Sequence, residues 1–236
     1  MDSNNLSGRL KYYLIPGRPK VGSPALEVHN VAFEFWMQFW TAVFKKNGVV
    51  EKPNADDFLR QDLISVIMHD NKVAALHFYS YFDLALTASK SHSYFISSYT
   101  EKAMTEMRLQ NVRHAMSMEY FSVAPEWQKK SHGVSLAVAM LSLGVRIFTR
   151  SQADMLLGVS RVDVGVAKLS YEIGGLPLDQ NIQLHGTPCD LVGCPKGHER
   201  LPNGPQENRL ADELWSKRLE LPPFVSESRF PLKKVA

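Results

Sequence analysis

Apolar residues recur at helical spacing over Val28, Val31, Ala32, Phe35, Phe39, Ala42 and Val43, which predicts a helix over about residues 24–46. Ser23 followed by Pro24 suits its start, and Asn47-Gly48 its stop. Residues 63–68 form an apolar run, 69–72 (His-Asp-Asn-Lys) read as a turn, and 73–82 as a second strand of a hairpin. No single period fits residues 83–98, and the Ser/Lys/His cluster at 89–93 reads as loop. A helix is expected over 100–109 and a strand over 115–123, ended by Pro125. Residues 134–149 are apolar nearly all round, as in a buried helix. The continuous apolar run 155–159 suits a central strand. A helix over 163–173 stops at Gly174-Gly175, and 182–192 holds one or two short strands. Residues 195–209, rich in Pro, Gly and charge, predict a loop, and 210–219 an amphipathic helix. The tail from Pro222-Pro223 reads as extended or loosely packed, and the apolar patch at 12–15 as an edge strand or an arm.

Composition narrows the class. The chain has 236 residues, 44% of them hydrophobic and 22% charged, enough for a full core in one domain with an appendage. A formal charge of +3 is too small to argue for nucleic acid. No apolar run is long enough to span a membrane, and the first residues lack the basic-then-apolar order of a secretion signal. Cys189 and Cys194 are the only cysteines, so a disulfide scaffold is not expected and a reducing, cytoplasmic setting is.

The turn between strand 115–123 and helix 134–149 carries the candidate chemistry. The first amides of a helix have no internal acceptors and can hold a phosphate. Ser131 and Gly133 are small enough to let a backbone approach an anion, and Lys129, Lys130 and His132 would add charge. The competing reading is a connecting turn with solvated lysines. The stretch resembles the acyl-coenzyme A site of the GNAT acyltransferase superfamily. That pattern has a strand ending Val-x-Pro, here Val123-Ala124-Pro125, then Gln/Arg-x-x-Gly-x-Gly/Ala, here Gln128 to Gly133 with Ser131 in place of the first glycine. The superfamily's later Tyr-Glu-x-x-Gly element is mirrored by Tyr171-Glu172-Ile173-Gly174-Gly175, followed by Leu176 rather than an aromatic residue. Asp163 is nearest to the asparagine of the pattern.

This resemblance covers about residues 25–192. It implies an α/β fold, a GNAT-like mixed twisted sheet flanked by helices, over residues 1–194. Residues 195–236 would be a C-terminal extension, packed on the domain or flexible. The aromatic first helix (Phe33, Phe35, Trp36, Phe39, Trp40, Phe44) and the segment from His185 to Val192 resemble N-acyl amino acid synthases, relatives of the acyl-homoserine lactone synthases. That branch implies transfer of a fatty acyl group from acyl carrier protein, or acyl-coenzyme A, to the amine of an amino acid. Short-chain acetyl transfer to a small amine or peptide, and a non-catalytic GNAT-fold binding module, remain alternatives. Helix aromatics also serve as ordinary core.

The resemblance implies roles. Strand 115–123 should splay from strand 155–159 to admit a thioester. Phe121, Val123, Gln128, Lys129, Lys130, Ser131, His132, Gly133 and Val134 would hold the pantetheine-linked donor. Glu119, raised in pKa by burial, would take the amine's proton, and Tyr171 would protonate the leaving thiolate. Glu119 could instead face solvent or pair with an arginine such as Arg113, and Tyr171 could be a core aromatic. Arg161 and Asp163 read as substrate-orienting groups or as a salt bridge. Cys189, Cys194, His198 and His185 do not match zinc spacing, so no metal is expected. His69, His77, His92 and His114 follow no pattern and read as surface or core residues.

Overall fold

The computed structural model describes residues 8–128 and 133–221. Among the described residues nine strands form one mixed sheet, eight of them in the order β7-β8-β6-β5-β3-β2-β1-β9. The strands are β1 (Leu10–Pro16), β2 (Leu63–His69), β3 (Lys72–Tyr79), β4 (Tyr81–Asp83), β5 (His114–Val123), β6 (Met155–Arg161), β7 (Leu176–Leu184), β8 (Thr187–Pro195) and β9 (Leu219–Glu220). β4 lies off that path and pairs with β5. The helices are α1 (Ala25–Lys46), α2 (Ala55–Leu59), α3 (Thr87–Lys90), α4 (Ser93–Ser98), α5 (Glu101–Leu109), α6 (Leu136–Arg150), α7 (Val166–Glu172) and α8 (Pro205–Ser216). β5 and β6 are parallel neighbours, so the chain between them must cross a sheet face, and α6 does so.

Each face buries its own core. On one, α6 and α8 cover Tyr12, Leu14, Ala75, Tyr79, Met116 and Leu156. On the other, α1 and α2 cover Ile15, Ile64, Val66, Leu76 and Phe78, while α4 and α5 cover Phe82, Ala115, Leu157 and Leu191. Strand β2 shows why its sequence has no alternation: Leu63 and Ile67 enter the first core, Ile64, Val66 and Met68 the second.

Several sequence expectations are refined. β1 is not an edge, because β9 pairs with it in parallel on its outer side. The predicted strand over 73–82 breaks at Ser80, where its N–H donates to Ser117 Oγ at 3.0 Å. Residues 83–98 hold two short helices, the second capped by His92. Helix α6 starts at Leu136 rather than 134, since Ser135 is its cap. Helix α7 starts three residues later than predicted, after Gly165 at φ +79°. Most of the predicted loop after residue 204 is the front of α8, with Pro205 at its first turn. Leu210, Ala211, Leu214 and Trp215 of α8 are buried in the α6-face core.

Gly174 is needed where it stands. Its φ is +100°, and an added Cβ would lie 2.1 Å from the His198 carbonyl oxygen. Gly174→Ala should therefore destabilise the fold by about 2–3 kcal/mol. A urea melt measures this, and a loss below about 0.5 kcal/mol would mean the 197–200 loop moves freely aside.

Candidate functional site

β5 and β6 pair only over their first halves, from Ala115 with Met155 to Met118 with Gly158. Beyond that, β5 runs on to Val123 beside β3, and β6 to Arg161 beside β8. The sheet is therefore parted along this seam.

A bulge marks the parting. The register with β3 goes from Phe78 opposite Glu119 to Leu76 opposite Ser122, so three steps of β5 span two of β3. Tyr120 is the extra residue and takes φ +53°, a strained value for a side chain of its size. Neighbouring groups fix it there. Ser122 Oγ donates to the Tyr120 carbonyl at 2.7 Å and accepts from Trp40 Nε1 at 2.9 Å. The Tyr120 hydroxyl donates to Asp57 at 2.9 Å. The bulge also turns Glu119 and Tyr120 to the same, α1-side face.

A cavity of about 480 Å³ occupies the parting. Phe39, Trp40, Val43 and Tyr120 border it on the α1 side, and Phe121, Ala137 and Leu141 on the α6 side. Leu169, Ser170 and Ile173 close it from α7 and the residue that follows it. Its only charged borders among the described residues are Lys46 and Arg161. The β7–β8 hairpin reaches back toward α1. His185 stacks on Phe44 at 4.8 Å, and Gly186 abuts the Asn47 carbonyl, 2.4 Å from where a Cβ would be.

The expected site residues are distributed unevenly around this cavity. Phe121, Val123 and Gln128 border it, and Gln128 Nε2 donates to the Val123 carbonyl at 2.9 Å. Gly133 is exposed at φ +79°, and Val134 is buried in the α6-face core. Lys129, Lys130, Ser131 and His132 lie outside the described residues. The start of α6 already holds one carboxylate: the Ser135 N–H donates to Glu207 Oε1 of α8 at 3.0 Å.

Glu119 does not border the cavity. Its carboxylate accepts from Arg60 at 2.5 and 3.2 Å and from Ser117 Oγ at 2.6 Å. Arg60 also bonds Asp57 at 3.1 Å and sits over the Tyr94 ring. Burial alone would lower the Arg60 pKa, but the attraction of Glu119 and Asp57 outweighs it and the pKa is raised. Arg113 instead lies near Asp83 at 4.0 Å. One cation against two carboxylates leaves net negative charge behind the Tyr120 wall of the cavity.

Tyr171 donates to Asp190 Oδ2 at 2.7 Å, and Gln180 donates to its hydroxyl at 3.3 Å. Burial and the Asp190 contact push its pKa up to about 12. Its neighbour Ser170 borders the cavity and pairs with Ser160 at 2.8 Å. Arg161 and Asp163 form a two-pronged salt bridge at 2.6 and 3.0 Å, leaving Arg161 on the cavity rim. Cys189 and Cys194 are free and buried, and an odd spacing on β8 sends them to opposite faces. Among the described residues no cluster of three or more His, Cys, Asp and Glu could hold a metal, and no helix is long and apolar enough to cross a membrane.

Sequence reasoning missed Arg60, Asp57, Ser160, Ser170 and the bulge at Tyr120. Arg60 and Glu119 are 59 residues apart, so only the fold joins them.

No protein-family model matches the chain, and no curated protein matches it by sequence. Solved structures do. A coenzyme A-dependent acyl-homoserine lactone synthase, BjaI, overlays with TM-score 0.53 at 8% identity, over 89% of this chain and 93% of its own. A mosquito arylalkylamine N-acetyltransferase like 5b gives TM-score 0.53 at 10% identity, over 78% and 98%. FeeM, an N-acyl amino acid synthase from uncultured soil microbes, gives TM-score 0.47 at 8% identity, over 78% and 89%. With its parted mixed sheet flanked by helices, this chain has the GNAT fold.

Proposed function

We propose that the protein is an N-acyltransferase that moves a long-chain fatty acyl group from acyl carrier protein, or from acyl-coenzyme A, to the amine of an amino acid. The observation that carries this reading is the cavity at the parted seam of β5 and β6, which is bordered by residues from both sheet faces. A thioester arm laid between the strands would meet edge amides and carbonyls of β5 and β6 that do not pair with one another. The coenzyme A dependence of BjaI supports a pantetheine-linked donor for the shared fold.

The chemistry follows from the walls. The amine nitrogen attacks the thioester carbonyl carbon, a C–N bond forms and the C–S bond breaks. The amine loses a proton and the departing thiolate gains one. Apolar walls at Phe39, Trp40 and Val43 suit an acyl chain and exclude water. Lys46 and Arg161 on the rim suit the carboxylate of an amino-acid acceptor. Net negative charge behind Tyr120 favours arrival of the amine as an ammonium at the α1 side, which must give up one proton to solvent before its nitrogen can attack. Glu119 is the proton acceptor in this reading; it lies behind the cavity wall, bonded to Arg60 and Ser117, so a water would have to carry the proton to it. In this reading residues 128–134 hold the donor's phosphate, as the sequence pattern expects.

The test is direct. The protein is incubated with acyl-coenzyme A of graded chain length, or with acyl carrier protein loaded alike, and a pool of amino acids. Thiol release and product mass are read. Long-chain N-acyl amino acids support the reading. Acetyl transfer alone replaces the donor class, and donor binding without turnover assigns a binding module.

Tyr171 and Ser170 separate by mutation. If Tyr171 protonates the thiolate, its raised pKa keeps the hydroxyl protonated and neutral at working pH, and Tyr171→Phe lowers kcat about tenfold while Ser170→Ala changes little. A fall in melting temperature with kcat unchanged would assign Tyr171 to its Asp190 contact alone.

A further inference from the structure

Among the polar side chains bordering the cavity that the reaction above leaves unused, His77 differs from Ser160 and Ser170, which bond each other. His77 stands on β3, level with the bulge, between the Leu76–Ser122 and Phe78–Glu119 pairs. It is only 2% exposed, yet it lines the cavity. Its ring is packed between Phe121, with centroids 4.9 Å apart, and Tyr79, at 5.3 Å. Nδ1 is buried with no hydrogen-bond partner among the described residues. Burial pushes the pKa down to about 3, with no charged neighbour contributing, so the ring is neutral.

A neutral imidazole has one N–H and one lone pair. Buried donors are left unpaired more rarely than buried acceptors. The lone pair therefore belongs on the orphaned Nδ1, and the proton on Nε2. Phenylalanine or leucine would fill this aromatic slot without burying an unused polar atom. A histidine kept here at that expense has its use in whatever enters the cavity. A neutral donor in a nearly uncharged pocket matches a neutral carbonyl oxygen and not an anion, which would call for a cation or water.

We propose that His77 is a donor-binding residue whose Nε2–H donates to a carbonyl oxygen of the acyl-pantetheinyl substrate, either the thioester oxygen or an amide oxygen of the pantetheine arm. This rests on the acyltransferase reading. It adds a polar contact on the α6 face, opposite the Glu119 network.

The test compares the full chain with His77→Phe, which removes the donor, and His77→Gln, which retains an N–H. Turnover of octanoyl-coenzyme A and melting temperature are measured. His77→Phe should melt no lower than wild type, lose about tenfold in kcat/KM, and His77→Gln should recover part of that loss. A fall in kcat at constant KM places the contact on the thioester oxygen, and a rise in KM at constant kcat places it on the arm. Wild-type kcat/KM in His77→Phe overturns the proposal. Should that variant not fold, ¹⁵N-histidine NMR of wild type with a non-cleavable ketone analogue of octanoyl-coenzyme A (CoA-S-CH2-CO-heptyl, which keeps a carbonyl oxygen beside the sulfur) decides: a shifted Nε2–H signal supports the contact, and binding with that signal unmoved overturns it. Failure of the acyltransferase reading looks different: wild type itself would then not turn over the thioester, and if it also failed to bind the analogue both proposals fall.

Discussion

Arg60→Met is expected to lower the free energy of unfolding by about 3–5 kcal/mol, the loss typical of breaking one partner out of a buried ion pair. The Arg60 and Glu119 side chains are 13% and 5% exposed, so little water screens them. Without Arg60, Glu119 retains the Ser117 hydroxyl and Asp57 retains the Tyr120 hydroxyl, and two carboxylates then face one another without a cation. Glu119→Gln should cost less, because the amide oxygen still accepts from Arg60 and Asp57 still balances the guanidinium. The double variant should recover part of the Arg60→Met loss, giving a coupling of about 2–3 kcal/mol in a urea-unfolding cycle. A coupling near zero would show that the pair is screened after all and that Glu119 is free for proton transfer alone. The cycle also bears on the chemistry: a Glu119→Gln protein that stays folded but stops turning over separates the proton-acceptor role from the structural one.

This network shows where the sequence stops being informative. The apolar periods of α1 and α6 and the runs of β2 and β6 are legible because one local pattern suffices to bury each. The Val-Ala-Pro strand end is legible as part of a spaced pattern and its Val123 borders the cavity, whereas Tyr171 of the later element does not. Arg60 is not, because an arginine after a short helix looks like any solvated charge until β5 is laid beside it. The bulge is hidden for a different reason: tyrosine has no preference for positive φ, so nothing local announces Tyr120. The front of α8 is hidden because Pro205 and the charges after it resemble a loop, although proline is well placed at a first helical turn. His77 carries no local signal either, since a single histidine in an apolar strand reads as core until a cavity is found beside it.

Gly158→Val should lower kcat/KM for the acyl donor by about a hundredfold, close to 2.7 kcal/mol, while leaving the fold as stable or more so. Gly158 is the last residue of β6 paired to β5, and it borders the cavity. An added Cβ would touch only Ser160 Oγ, at 3.4 Å, an ordinary contact. Its backbone needs no positive φ, so a β-branched residue suits the strand. What valine would fill is the space at the fork of the two strands. A donor arm threaded there must collide with it, whereas one that lay on the outer surface would not. Gly158→Ala should fall between, losing several-fold, since one methyl occupies less of the fork. Melting temperature distinguishes the two ways to lose activity: a blocked cleft leaves it unchanged, and a damaged sheet lowers it. If Gly158→Val folds and turns over as wild type does, the substrate does not pass between β5 and β6, and the acyltransfer reading loses the geometry on which it stands.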